Sequence, residues 1–191
     1  MTNPTQEKWD RHYQKIDRMP AMRVVAENLH LLPASGRGLE LACGLAANAF
    51  LVAEQGIAME AWDISPVAID KVNANARKRG LAVTGKACDV MAEPPTPESY
   101  DLVVVTHFLE RAMTAMIIDA LKPGGLLFYQ TYTRTKVSDG GPDRDEWRLA
   151  DGELLTMFTP LQVLVYREEG RQGDLSRGFR NEALLVARKP Q

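Results

Sequence analysis

Three acids in this chain are placed to grip one polar ligand together. Glu40 closes the apolar start of GLELACGLAANA (residues 38–49), Asp63 closes that of AWDIS, and Asp89 that of ACDV. A tight turn centred on Gly44 follows Glu40, and a helical pattern begins after it. Carboxylates at the carboxyl ends of successive strands mark the crevice where open α/β sheets bind ligands. The spacing suits a cofactor that contains a nucleoside. Asp63 can accept both ribose hydroxyls, and Asp89 the amino group of an adenine. A plain structural role is open to Asp63 as well, because Ser65-Pro66 opens a helix just after it.

The glycine content of the turn narrows the cofactor. The dinucleotide fingerprint GxGxxG needs three glycines. Here the aligned stretch is Gly44-Leu45-Ala46-Ala47-Asn48-Ala49, and only the first glycine is present. Ala46 and Ala49 would crowd a pyrophosphate, and Glu40 would repel it. A nicotinamide-dependent oxidoreductase is therefore disfavoured. A cofactor with an ammonium group and no phosphate fits, and S-adenosylmethionine (SAM) has both features. Its ammonium would lie near Glu40 and its carboxylate near backbone N–H groups of the turn.

The elements that hold these residues alternate between helix and strand, which predicts a doubly wound, mostly parallel α/β sheet. Helices are expected over 5–16, 21–32, 47–55, 65–79, 109–121 and 151–158. Strands are expected over 38–42, 57–62, 81–87, 100–106, 126–132, 162–168 and 183–187, seven in all, with the last two as an antiparallel hairpin edge. Leu102 to Val105 is apolar without a break, as suits a strand buried on both faces. Residues 93–99 form a loop by their prolines, and Pro123-Gly124-Gly125 a sharp turn. The polar stretch 133–147 is a long loop, and a loop of that length is usually functional or mobile. Asp139, Asp143 and Arg144 in it could touch an acceptor, though solvated charges explain them as well.

The chain has 191 residues, enough for one domain with a proper core. A formal net charge of -2 argues against an extended nucleic-acid footprint. The start is polar, and no apolar run is long enough to span a bilayer. The two cysteines, Cys43 and Cys88, are too few for a disulfide framework and have no metal-ligand company in sequence. A cytoplasmic protein with reduced thiols and no metal or membrane association is the expectation.

With these residues in view, the chain resembles class I SAM-dependent methyltransferases over nearly its whole length. Glu40 to Ala46 matches the first motif of that family, Trp62-Asp63 the second, Cys88-Asp89-Val90 the third, Tyr100 to Arg111 the fourth, and Leu121 to Gly125 the turn before strand five. Within the superfamily it is most similar to the tellurite-resistance methyltransferases, neighbours of the thiopurine methyltransferases. Trp9 and Tyr13, Asn48, Ala61-Trp62-Asp63 and Leu149 to Phe158 carry that finer likeness. Ala42 and Ala46 depart from the family pattern, which has glycines there.

The resemblance implies a set of cofactor-binding residues: Trp9, Tyr13, Glu40, Ala42, Cys43, Gly44, Asn48, Asp63, Ile64, Asp89, Val90, Thr106 and Phe108. Trp9 and Tyr13 would belong to an N-terminal helical lid (1–32) over a Rossmann-like core (38–191), all one domain. A helix packed on the surface explains that pair too. Val90 would wall the adenine, and the methyl group would emerge near Thr106, His107 and Phe108. Cys43 reads more naturally as a packing residue than as a nucleophile. His107 is the candidate general base. A histidine that only lines the acceptor pocket fits the same position, and fits better if the acceptor is already anionic. The expected activity is transfer of the SAM methyl group to a small molecule, a soft anion such as a metalloid oxyanion or a thiol, with S-adenosylhomocysteine as the other product. A catalytically silent SAM-binding sensor is the alternative.

Overall fold

A computed structural model describes residues 3–191. Its strands are β1 (Arg37–Leu41), β2 (Ala58–Asp63), β3 (Val83–Ala87), β4 (Tyr100–Thr106), β5 (Leu121–Tyr132), β6 (Gln162–Arg167) and β7 (Glu182–Arg188). Its helices are α1 (Pro4–Tyr13), α2 (Arg23–Ala26), α3 (Ala47–Ala53), α4 (Pro66–Arg79), α5 (Thr114–Ala120) and α6 (Glu153–Met157). The strands form one sheet in the order β3-β2-β1-β4-β5-β7-β6. The first five run parallel, and β7 lies antiparallel between β5 and β6. The expected α/β fold with an antiparallel edge is present. Chain order reverses between β1 and β4, and this switch point is where such sheets open a crevice.

Each face of the sheet has its own core. α2, α3 and α4 cover one face through Val24, Phe50, Ile69 and Val72. α5 and α6 cover the other through Ile117, Leu154 and Phe158. Along β4, Leu102 and Val104 join the first core while Val103 and Val105 join the second. That two-sided burial is why the strand is apolar throughout. Among the described residues no helix is long and apolar enough to cross a membrane.

Local signals set the best-defined helix. Ser65 caps α4 by accepting the Ala68 N–H, Pro66 occupies its first turn, and Gly80 ends it at φ 64°. Elsewhere the expected boundaries need correction. The helix expected over 21–32 is only the single turn of α2, followed by a 3-10 turn at Leu29–Leu31. Asn28 stops it: φ there is -126°, and the side-chain amide donates to the Val24 carbonyl at 2.9 Å. α1 ends at Tyr13 and not at residue 16. The helix expected over 109–121 is a 3-10 turn (Arg111–Met113) and then α5. β5 begins at Leu121, and the turn expected at Pro123-Gly124-Gly125 is an irregularity inside it: Gly124 has a φ of 78°, and the pairing with β4 shifts between Tyr100–Leu121 and Leu102–Leu126.

The long loop after β5 is anchored from inside. Arg148, only 1% exposed, donates to the carbonyls of Pro142 (2.6 Å), Thr133 (2.9 Å) and Gly140. Asn181 accepts the Val137 N–H at 2.7 Å from the far side. Asp139, Asp143 and Arg144 are exposed, and Arg144 pairs with Glu146.

Candidate active site

The turn between β1 and α3 is held in an unusual backbone conformation. Ala42, Gly44 and Ala46 all have positive φ, at 50°, 54° and 56°. For a residue with a Cβ this costs about 1–2 kcal/mol. The Cys43 N–H donates to the Trp62 carbonyl and the Ala46 N–H to the Cys43 carbonyl, which lock the loop shut. Gly44 is required twice over. Its φ is positive, and a Cβ there would lie 2.7 Å from the Tyr13 hydroxyl oxygen.

Glu40 is the last residue but one of β1, beneath this turn, and is 1% exposed. One carboxylate oxygen accepts from the Asn48 amide at 2.7 Å and the other from the Ala49 N–H at 2.8 Å. Burial nonetheless outweighs those bonds and raises its pKa to about 7. Asn48 is the local hub. Its Oδ1 accepts the Met22 N–H at 2.7 Å, and its Nδ2 also donates to the Thr106 hydroxyl at 3.1 Å. Asn48 therefore joins α2, the end of β1 and the end of β4.

Asp63 ends the neighbouring strand. Its two oxygens accept the Gly44 N–H at 2.8 Å and the Ser65 N–H at 2.9 Å. Burial raises its pKa against the opposing pull of these backbone N–H groups. Ile64 follows, half-buried. The third acid, Asp89, is half-buried after β3 and accepts the Met91 N–H at 3.0 Å. Ile64, Ala87, Cys88 and Asp89, with Asn3 and Gln6 at the start of α1, line a cavity of about 220 Å³. Val90 is buried near Trp62 and Cys88.

α1 packs down on the turn. Tyr13 is buried with Leu45 and Ala68, and Trp9 stacks on it with ring centroids 5.8 Å apart. The Ser65 hydroxyl donates to Asp10. Lys71 donates to the Tyr13 and Ile16 carbonyls and to Asp17, each at 2.8 Å, so α4 holds the carboxyl end of α1. Burial pushes the Tyr13 hydroxyl pKa up, and Asp63, Cys43 and Glu40 add to it. The Cys43 thiol is likewise pushed up by burial, which suits a packing role and not a nucleophile.

His107 follows β4 with a positive φ of 53°. Its ring stacks on Tyr132, centroids 4.3 Å apart, and its Nε2 lies 3.2 Å from a Glu182 carboxylate oxygen. Burial alone would raise the Glu182 pKa, but His107 and Gln130 hold it lowered. Phe108 turns into the core under α5, and its carbonyl accepts the Tyr129 hydroxyl at 2.7 Å.

Glu40, Cys43, Gly44, Asn48, Asp63 and Thr106 thus meet around one turn under Tyr13, and Ala42 shapes that turn. Trp9 packs against the cluster of Tyr13, Leu45 and Ala68 beside it. Ile64, Asp89 and Val90 flank it on the β3 side, and His107 on the β4 side. Four participants were not read from the sequence: Lys71, Gln130, Tyr132 and Glu182. A faint signal existed for Gln130. It is a polar residue at the end of an apolar strand, and it pairs in register with Thr106. Glu182 pairs with Tyr132 across the antiparallel ladder, a neighbourhood with no local signature.

Comparison with known proteins fits this geometry. Residues 39–125 match the model of a methyltransferase domain. TehB from Haemophilus influenzae is similar in structure at 21% identity and a TM-score of 0.74, over 95% of this chain and 67% of that one. A SAM-dependent methyltransferase from Methanosarcina mazei is similar at 17% identity and a TM-score of 0.65, over 90% of this chain and 99% of that one. Geranyl diphosphate C-methyltransferase from Streptomyces coelicolor A3(2), solved with S-adenosyl-L-homocysteine, is similar at 13% identity and a TM-score of 0.70, over 99% of this chain and 100% of that one. A search of curated protein sequences returned no match. At these identities the structural likenesses are likenesses of fold. The domain match covers the stretch from β1 to the start of β5, and the fold is one that SAM-dependent methyltransferases adopt.

Proposed function

We propose that the chain binds SAM across the switch point between β1 and β4 and transfers its methyl group to a small, soft nucleophile, a thiol or a metalloid oxyanion. The observation that carries this reading is the set of three acids at the ends of β1 and β2 and after β3, around a turn that lacks the phosphate-cradling glycines. Glu40 would face the ammonium group, with the Asn48 amide and the Ala49 N–H fixing its carboxylate. Asp63 would accept the ribose hydroxyls through its remaining lone pairs. Ile64, Asp89 and Val90 would hold the adenine in the cavity beside them. Trp9 and Tyr13 would close over the cofactor as a lid, on one domain spanning the chain. The cofactor supplies a methyl group on a leaving group that is already activated. The protein's share is alignment and exclusion of water, and positioning alone can supply roughly 7–11 kcal/mol.

Assignment to the tellurite-resistance and thiopurine group, and a cytoplasmic setting, belong to the same proposal. Its support is the fold shared with TehB and the motif from Leu149 to Phe158. A panel of thiols, selenite and tellurite, with release of S-adenosylhomocysteine as the signal, tests it. Turnover with at least one of them is expected. SAM binding with no turnover on any acceptor would favour the silent sensor.

A further inference from the structure

We propose that Glu182 is a positioning residue that holds His107 as the general base, so that the acceptor arrives carrying the proton it must lose. This rests on the methyl-transfer reading above. His107 directly follows Thr106, whose hydroxyl joins Asn48 and through it Glu40. The imidazole therefore stands beside the end of the site where the methyl group is expected.

Two contacts hold the ring, and three more fix the groups around it. Nε2 is 3.2 Å from Glu182, and one ring face stacks on Tyr132, the cross-strand partner of Glu182. The His107 backbone N–H donates to the Gln130 carbonyl at 2.9 Å. Gln130 then donates from its side-chain amide to the second Glu182 oxygen at 2.5 Å and accepts the Val24 N–H at 2.7 Å. The price is a left-handed φ at a residue with a Cβ, a kind of strain that persists only where the surroundings over-determine it. A histidine that merely filled a wall would need neither the strain nor a mostly buried carboxylate. Arg23 of α2 and Tyr132 of β5 are the other charged or titratable groups that bear on the pair.

The chemistry follows from which nitrogen is engaged. With Nε2–H directed at Glu182, the lone pair of the neutral ring lies on Nδ1. His107 takes the proton from the acceptor's heteroatom. The electron pair freed there forms the new bond to the methyl carbon, and the pair of the old carbon–sulfur bond leaves with the sulfur. Glu182 stabilises the imidazolium until it passes its proton to water. An ordinary imidazole draws a proton from a thiol far more readily than from an alkyl hydroxyl, so a thiol fits this site best among protonated acceptors.

The test begins on the ligand-free full chain. Nitrogen-15 spectra of the imidazoles, with His107→Ala to assign one of three histidines, should show neutral His107 as the Nε2–H tautomer. That preference should be lost in Glu182→Gln and kept in Glu182→Asp. With a thiol acceptor, kcat should fall by about 100-fold or more in His107→Ala and by about 10-fold in Glu182→Gln. In Glu182→Gln the acid limb of the pH profile should also move. SAM affinity should stay within about twofold throughout. An Nδ1–H tautomer in the parent, or an unchanged tautomer and pH profile in Glu182→Gln, would overturn the assignment. Failure of the parent to bind SAM would sink the methyl-transfer reading instead, and the tautomer result would stand apart from it.

Discussion

The Asp63 carboxylate accepts the Gly44 N–H at 2.8 Å, so the end of β2 holds the turn after β1 in shape. The acid expected to grip a ribose is thus also part of the scaffold. Asp63→Ala should leave two buried N–H groups, those of Gly44 and Ser65, without acceptors. A loss of about 2–5 kcal/mol in stability is expected, together with at least about 100-fold in SAM affinity. Asp63→Asn keeps an acceptor oxygen, so it should lose affinity with a smaller loss of stability. Urea denaturation and calorimetry on both variants separate the two roles. An Asn variant that binds SAM as tightly as the parent would remove Asp63 from the cofactor site.

Lys71 tests the lid without altering any residue of it. Its ammonium group holds the carboxyl end of α1 through three contacts. Lys71→Met should raise hydrogen exchange across residues 4–16 and weaken SAM binding about 10-fold, with the protection of β1 and β4 unchanged. Looser α1 with unaltered affinity would show that the helix only covers surface.

Glu40 should make both stability and binding depend on pH. Its folded pKa is raised to about 7 from 4.5, so the native state holds this proton more tightly than the unfolded chain. The contribution of this group is greatest below about pH 4.5 and is lost as pH rises through 7, by about 3 kcal/mol in all. A cofactor ammonium nearby reverses the balance, because it favours the carboxylate. SAM affinity should therefore rise between about pH 5 and 7 and then level, with a proton released on binding. Calorimetry at pH 6 in two buffers of different ionisation enthalpy measures that proton. No buffer dependence would mean that the ammonium does not meet Glu40.

The alanines of the turn should be replaceable at a gain. Ala42 has a φ of 50°, which glycine adopts freely. Ala42→Gly should stabilise the protein by up to about 1 kcal/mol, or about 2–4 °C in Tm. Thermal denaturation decides it. A destabilised variant would mean that the methyl group packs usefully enough to outweigh the strain.

What was legible in the sequence follows the range of the interactions. Ser65-Pro66 and Gly80 mark α4 because capping acts over three or four residues. Glu40, Asp63 and Asp89 were found because each lies within two residues of a strand's end, and strand ends are visible as the ends of apolar runs. The helix expected over 21–32 was too long because the Asn28 amide competes with the backbone for the Val24 carbonyl, and polarity alone does not reveal that choice. The Val24–Gln130 and Lys71–Tyr13 contacts and the setting of His107 beside Glu182 join residues far apart in the chain. Arg148 has no local signature in the sequence, yet it is the post around which the 133–147 loop winds.

β7 enters the sheet between β5 and β6, both of which precede it in the chain. A chain growing from the ribosome must therefore carry an open β5 edge and an unpaired β6 until residues 182–188 emerge. Glu182 is the first residue of that strand. The partner of His107 arrives in the same step that closes the sheet, so a half-made chain that already shapes its cofactor turn still lacks the carboxylate beside the imidazole.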